Sequence, residues 1–461
     1  LRIGAAEIII GIMLSERKLN AQARAIKAVV AELLRRVLIE HMPADRTLAA
    51  YLRSHREMGS RDRRVISETV YAVFRWWGWL RRLVFEDEVQ SARVAPEVFL
   101  DQNAAFWPKL LAGAVVLEGL PYDGLLRMWG DGEGLITSKP APVASPRDLS
   151  ARADFFRRLL GPPDNKSLAL EELAPAWLAD EVRCPRQLAE LILWLQRRPP
   201  LWLRIQSSEP KAVISELEQA GLDVKLHPHL PEAANVGYPR INLYTLPAYR
   251  EGRVEIQDLA SQAVGRVCAP TPGQRWWDAC AGGGGKTLVL AQYLCGKGNV
   301  VATDIRERKL REARRRARRG GFHNIRTRLW LGRRVPSRPG SFDGVLVDAP
   351  CTCSGTWRRN PAARWSLSRE NIVKMAEIQT KLLVCAAEGV KPGGVLVYAT
   401  CSFFFAENEA VVRQFLRLRR DFVLEPFEHP LNGEPTAGMV QIWPWDGDCD
   451  AMFVAKCRRQ R

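Results

Sequence analysis

Two cysteines carry the chemistry that this sequence suggests most directly. Cys351 lies in FDGVLVDAPCTCSGT (342–356) and Cys401 in GGVLVYATCS (393–402), each just past a predicted buried strand and 50 residues apart. A thiolate can add to carbon 6 of a pyrimidine ring and make carbon 5 nucleophilic. Carbon 5 can then take a methyl group from a sulfonium donor, and a second thiol can help remove the carbon-5 proton and release the product. A nucleophilic cysteine needs a lowered pKa or an assisting base. No histidine lies near either cysteine in the sequence, which argues against a Cys-His protease.

Upstream, DACAGGGGKT (278–287) follows one predicted strand and opens a helix. Glycines let a backbone approach a ligand closely, and a helix N-terminus favours negative charge. A phosphate loop requires G-x-x-x-x-G-K-[ST]; five positions before Gly285 stands Cys280, so that pattern fails at its first residue. The better reading is a turn that seats the amino-acid end of S-adenosylmethionine, against the plainer one of a tight turn without a ligand. Asp304 ends the next strand, where an acidic residue accepts hydrogen bonds from ribose hydroxyls or simply caps the following helix. In DAPCTCSGTWRRNP (348–361), Asp348 suits the edge of a pyrimidine. Trp357, Arg358 and Arg359 suit base stacking and phosphate contact. Cys353 reads as a buried structural thiol. Cys184, Cys268, Cys295, Cys385, Cys449 and Cys457 read as core or surface cysteines.

The elements that must position these residues alternate as strand and helix from about residue 255. Predicted strands are 275–279, 299–304, 324–330, 343–348 and 394–400, which argues for a parallel doubly wound sheet. Ligands of such sheets bind at the carboxyl ends of the strands. Before this region, 197–255 reads as a small α+β unit whose helix, 209–221, closes at Gly221. Residues 20–90 read as helical. Ile26, Val29, Val30, Leu33, Leu34, Val37 and Leu38 fall on one face of a first helix, and Ile66, Val70, Val73, Phe74 and Trp77 on one face of a second. Residues 130–165, rich in Gly and Pro, read as loop or linker. The expected organisation is a helical domain at 15–165, linker helices and a small α+β extension at 166–255, and an α/β Rossmann-like catalytic domain at 256–461.

The chain of 461 residues has a net charge of +17 and a pI near 9.7, which calls for a polyanionic partner, most simply a nucleic acid. The helix 306–321 is especially rich in arginine and lysine, either a solvated face or an RNA contact. Ten cysteines without a C-x-x-C pair, and six scattered histidines, give no disulfide scaffold and no zinc-ligand spacing. The expectation is therefore no metal, reduced thiols and a cytoplasmic protein. No stretch reaches the roughly 20 apolar residues of a membrane span, and nothing calls for an obligate oligomer, so a monomer is expected. The chain begins with Leu, and Met13 reads as a candidate start.

These motifs resemble those of the RNA cytosine-5 methyltransferases, the Fmu/Sun group. DACAGGGGKT resembles the family's D-x-C-A-A-P-G-G-K-T, VVATD its ribose-binding strand end, DAPC and ATCS its two cysteine motifs, and GDCDAMFVAK (447–456) its last strand. ENE (407–409) follows the second cysteine as in the family, and EIQDLASQAV (255–264) resembles the segment before the cofactor turn. The helical region is similar to a NusB-like RNA-binding domain. The resemblance implies methylation of cytosine carbon 5 in RNA, most simply ribosomal RNA, with S-adenosylmethionine as donor. Cys401 would attack carbon 6, and Cys351 would assist proton removal and release. Asp348 and Lys286 would line the cytosine and donor site. Cys280, Ala281, Gly282, Gly283, Gly284, Gly285, Lys286, Asp304 and Asp348 would hold the cofactor. Two departures stand out. Gly282 and Gly283 replace Ala-Pro, and Leu331 stands where relatives carry an acidic residue near the adenine. Leu331 is expected to weaken cofactor binding, so calorimetry on Leu331→Asp should show tightening. The rival readings are a catalytically weak RNA-binding or assembly factor on the same fold, the same chemistry on transfer RNA, and a P-loop NTPase.

Overall fold

The computed structural model describes residues 2–83, 106–129, 146–160 and 168–461. The chain folds as two compact units. The first holds the residues up to Asp180, Cys184–Arg198 and, from far downstream, Trp357–Leu367; the second holds Glu181–Arg183, Pro199–Thr356 and Ser368–Arg461. Helix Leu188–Leu195 thus groups with the helical unit and the small sheet with the second unit.

The helical unit is built on the two amphipathic faces seen in the sequence. Helix Arg2–Leu38 buries Ile26, Val29, Val30, Leu33, Leu34 and Val37, and helix Ser60–Leu80 buries Ile66, Val70, Val73, Phe74 and Trp77. Each fully buried side chain of this size contributes about 1.5–3 kcal/mol. Helix Phe106–Glu118 packs beside the second of these, and Glu118 accepts the indole N–H of Trp76 at 2.8 Å and the Arg75 guanidinium at 3.1 Å. Helix Pro146–Leu160 lies inside the stretch expected to be loop or linker, and its buried Leu149, Ala153 and Phe156 give it an apolar face that the surrounding Gly and Pro obscure. The rest of that stretch, 130–145 and 161–165, lies outside the described residues.

In the second unit, β1 (Trp202–Ile205), β2 (Lys225–Leu226), β3 (Ala233–Asn235) and β4 (Val254–Ile256) form an antiparallel sheet in the order β2-β3-β1-β4. Its Trp202, Leu230 and Ala233 share a core with Leu259, Ala263 and Val264 of helix Leu259–Cys268. The main sheet comprises β5 (Arg275–Asp278), β6 (Asn299–Asp304), β7 (Ile325–Leu329), β8 (Phe342–Asp348), β9 (Val390–Thr400), β10 (Phe422–Leu424) and β14 (Met452–Arg459), in the order β10-β14-β9-β8-β5-β6-β7. A further strand, β13 (Met439–Ile442), pairs with β14, and β11 (Phe427–Glu428) pairs with β12 (Pro435–Thr436). Strands β5 to β9 are parallel, as the strand–helix alternation requires. At this edge β14 runs antiparallel to β9, β10 and β13, because it folds straight back from β13. The fold is a Rossmann-like doubly wound sheet with an antiparallel edge. Among the described residues no helix is long and apolar enough to cross a membrane.

Candidate active site

The parallel strands bring the predicted site residues to one edge of the sheet. Asp278 ends β5, Asp304 ends β6, Asp348 ends β8 and Cys401 directly follows β9. The chain winds outward in one direction from β5 to β7 and in the other through β8 and β9, so the β5 end is the switch point where such sheets open a crevice.

The glycine turn occupies that point. Gly282 and Gly284 have φ of 53° and 85°, the left-handed region in which glycine alone is unstrained. A Cβ on Gly284 would lie 2.9 Å from that of Ala313, whereas one on Gly282 would meet nothing, so the turn is closed behind and open in front. The Ala281 amide donates to Thr303 O at 2.8 Å, the Gly283 carbonyl accepts from Arg316 at 2.9 Å, and Gly285 begins helix Gly285–Tyr293. The Gly282 N–H donates to Asp304 Oδ2 at 3.0 Å. Asp304 also accepts from the Arg306 backbone and side chain at 2.8 and 3.0 Å. Burial opposes its charge, but Arg306 outweighs that and holds the carboxyl below its ordinary range. Cys280, just before the turn, is pushed up by burial and remains a thiol.

Asp278 takes one hydrogen bond, from Thr287 Oγ1 to Oδ2 at 2.6 Å, and its fully buried Oδ1 has no partner. An unpaired carboxylate oxygen, an open-fronted glycine turn and an acidic residue at the next strand end together fit the polar groups of S-adenosylmethionine. Burial, reinforced by the Asp348 charge, raises Asp278 to about 7 against an ordinary 3.8. The fold therefore favours its acid form. The stability this contributes is complete below pH 3.8 and is lost as pH rises through about 7. Asp278→Asn, without ligand, should melt a few degrees above wild type at pH 8, with the gap closing toward pH 4. A calorimetric gap that did not change with pH would contradict this.

On the other side of the switch point, Lys286 Nζ donates to Asp348 Oδ2 at 2.8 Å. Burial disfavours the ammonium, but the charge and hydrogen bond of Asp348 outweigh it and hold Lys286 above its ordinary range. Cys351 and Cys401 meet with their Sγ atoms 3.4 Å apart. Hydrogen bonds with Cys353 and Cys401, then burial, push the Cys351 thiol well up.

The residue that joins the two cysteine loops was not singled out in the sequence for any role. Glu407 is fully buried. Its Oε1 accepts from the Thr352 amide and from Gln379, both at 2.9 Å, and its Oε2 from Thr352 Oγ1 at 2.5 Å and Ser402 Oγ at 2.6 Å. Thr352 follows Cys351 and Ser402 follows Cys401. Burial raises the Glu407 carboxyl against these four bonds. Asn408 adds a tie, accepting from Thr400 Oγ1 at 2.5 Å and donating to Ser402 O at 3.0 Å. The ENE triplet after the second cysteine was the only signal.

Three expectations are corrected here. Cys353 is exposed rather than buried. Trp357 and Arg358 are fully buried and belong to the helical unit, so neither stacks on a base nor contacts phosphate. There the Arg358 carbonyl accepts from Arg75 at 2.7 Å, and Arg358 Nε donates to Arg197 O at 3.1 Å. Arg364, also fully buried, donates to the Leu173 and Leu195 carbonyls at 2.8 and 3.2 Å. Arg359 stays exposed. In helix Glu307–Arg319, Arg316 and Arg319 pair with buried Glu255 and so anchor the helix, while Arg308, Arg311, Arg315 and Arg318 face solvent. Leu331 lies just past β7 and is 62% exposed.

Residues 266–458 match the family described as 16S rRNA methyltransferase RsmB/F. The ribosomal RNA small subunit methyltransferase B of Klebsiella pneumoniae (strain 342) is 32% identical over 295 residues, 63% of this chain and 67% of that protein. The protein of the same description from Salmonella paratyphi B is 32% identical over 290 residues, 62% and 66% of the two chains. The matched region thus spans about two thirds of these relatives' length. Among solved structures, PH0851 superposes with a TM-score of 0.71 at 25% identity, covering 95% of this chain and 99% of that one. NSun6 from Pyrococcus horikoshii with SFG gives a TM-score of 0.53 at 21% identity, covering 59% and 94%, a likeness of fold. The chain shares its fold with both. The chain belongs to the RsmB/F family of 16S rRNA methyltransferases.

Proposed function

We propose that this protein methylates carbon 5 of cytosine in RNA, 16S-type ribosomal RNA, through a covalent cysteine adduct. The observation that carries the reading is the pair of thiols at 3.4 Å, with Cys401 close enough to the Lys286–Asp348 pair to interact with both charges. Asp278, the turn from Cys280 to Lys286 and Asp304 would hold S-adenosylmethionine, which supplies an electrophilic methyl group when bound. Arg306, whose side chain is 55% exposed, would release Asp304 for the ribose hydroxyls.

Cys401 is the nucleophile. Its sulfur forms a bond to carbon 6 of a cytosine flipped out of its stack, and the ring's electron pair moves to carbon 5. Asp348 and Lys286 line the ring. Cys351 keeps its proton while Cys401 is an anion, since two thiolates this close repel. Carbon 5 uses that electron pair to bond the methyl group and then carries both the methyl and its hydrogen; with Cys401 tied up in the carbon–sulfur bond the repulsion is gone, and Cys351 can lose its proton to water. Its thiolate then takes the carbon-5 proton, and the bond to carbon 6 breaks with its electrons returning to Cys401.

The net charge of +17, the exposed arginines of 307–319 and a NusB-like helical unit support an RNA partner bound with steep salt dependence. All ten cysteines are free thiols, which suits a cytoplasmic enzyme. The test is transfer of labelled methyl groups to ribosomal RNA, followed by digestion to nucleosides. Label in 5-methylcytidine is expected. Label in another nucleoside would overturn the base and the mechanism, and label on transfer RNA alone would overturn the substrate.

A further inference from the structure

The third thiol at the site, Cys353, hydrogen-bonds with Cys351 but forms no bond to substrate in the mechanism above. Cys353 has a φ of 59°, a left-handed conformation that a side-chain-bearing residue adopts only against steric resistance. That turn folds the C-x-C segment back on itself, with Cys353 Sγ 3.4 Å from the Cys351 carbonyl oxygen. The Sγ atoms of Cys351, Cys353 and Cys401 then all lie within 4.8 Å of one another. A tetrahedral thiolate site with metal–sulfur bonds of about 2.3 Å needs sulfurs about 3.8 Å apart. The three thiols are close to that spacing already. Cys353 is exposed and opens the cluster to solvent, while the other two are only half-buried, which leaves a path for an ion and a fourth position for water. Soft thiolates select thiophilic d10 cations over magnesium or calcium.

We infer that Cys351, Cys353 and Cys401 form a binding site for a thiophilic cation of the Zn2+ class, and that the occupied site holds the enzyme inactive. The ion displaces up to three thiol protons to solvent and forms three metal–sulfur bonds, with no change of oxidation state. Its bond to Cys401 removes the nucleophile. The site is built from a C-x-C and a cysteine 50 residues away, a spacing that no sequence pattern for zinc describes. The inhibition rests on the proposed function; the binding does not.

The experiment titrates reduced protein with Cd2+ and follows the ultraviolet sulfur-to-cadmium charge-transfer band, then displaces Cd2+ with Zn2+. Methyl transfer is measured in parallel with and without Zn2+. Wild type is expected to take one ion per chain. Cys353→Ser should bind it at least about tenfold more weakly, and its methyl transfer should resist Zn2+ when compared with its own metal-free rate. Cys295→Ser, which removes an exposed thiol outside the cluster, should behave as wild type. No band in wild type, or equal affinity in Cys353→Ser, overturns the site. Weakened binding in Cys353→Ser together with no methyl transfer by any metal-free protein supports the site and overturns the enzymatic reading instead.

Discussion

Cys401→Ala is expected to abolish methyl transfer, by on the order of 10⁴-fold or more, as loss of a covalent nucleophile does. Cys351→Ala is expected to fail differently. It can still attack carbon 6 through Cys401 and accept the methyl group. It then lacks the thiolate that removes the carbon-5 proton, so the bond to carbon 6 persists. A denaturing gel with labelled RNA should show a protein–RNA band in Cys351→Ala that requires S-adenosylmethionine, and none in Cys401→Ala or the double variant. The asymmetry follows from the proposed roles: two thiols 3.4 Å apart do not both ionise, and thiol hydrogen bonds and burial push Cys351 up. Substantial turnover by Cys401→Ala, or adducts trapped by Cys401→Ala instead, would reverse or remove these roles. Both side chains are small and half-buried, so thermal stability should hardly change.

Glu407→Ala should have the next largest effect without touching substrate. Four donors from both cysteine loops and from Gln379 converge on this one buried carboxylate. Its removal leaves buried donors unpaired, at about 1–3 kcal/mol for each group that water cannot reach. The loops would then drift apart, and a misplacement of about 1 Å costs roughly 10²-fold in rate. The expected result is kcat down by about 10² or more, a lower Tm, and an affinity for S-adenosylmethionine near wild type, since the glycine turn is untouched. Glu407→Gln keeps the shape and both oxygen-side bonds, and the Thr352 and Ser402 hydroxyls can turn to accept from the new amide. It should recover most of the stability and part of the rate. If Glu407→Ala lost cofactor affinity and rate in equal measure, Glu407 would be a general support of the fold rather than a positioning residue for the cysteines.

How much of this was legible beforehand varies with the kind of constraint. The glycine turn could be read because its backbone needs φ values that only glycine takes easily, as Gly282 and Gly284 do. The carboxyl-end placement of Asp278, Asp304, Asp348 and Cys401 followed from strand–helix alternation, since parallel strands must all end on one side. Helix Pro146–Leu160 was missed because its apolar positions sit among breakers that dominate a local window. The antiparallel edge was missed because nothing in the β14 segment announces its direction; that depends on the connection before it.

The sequence by itself determined that two cysteines follow two strand ends, that a glycine-rich turn precedes them and that the chain is strongly basic. These are local or compositional properties, fixed by residue type and spacing. Only the tertiary structure decided that residues 50 positions apart bring their sulfurs to 3.4 Å, that Glu407 ties their loops, and that Cys353 turns outward beside them. It also decided the fate of Trp357 and Arg358, which the helical unit buries. An arginine that grips phosphate and one that satisfies buried carbonyls are the same residue in a sequence. What separates them is which groups come to surround them, and those groups arrive from distant parts of the chain.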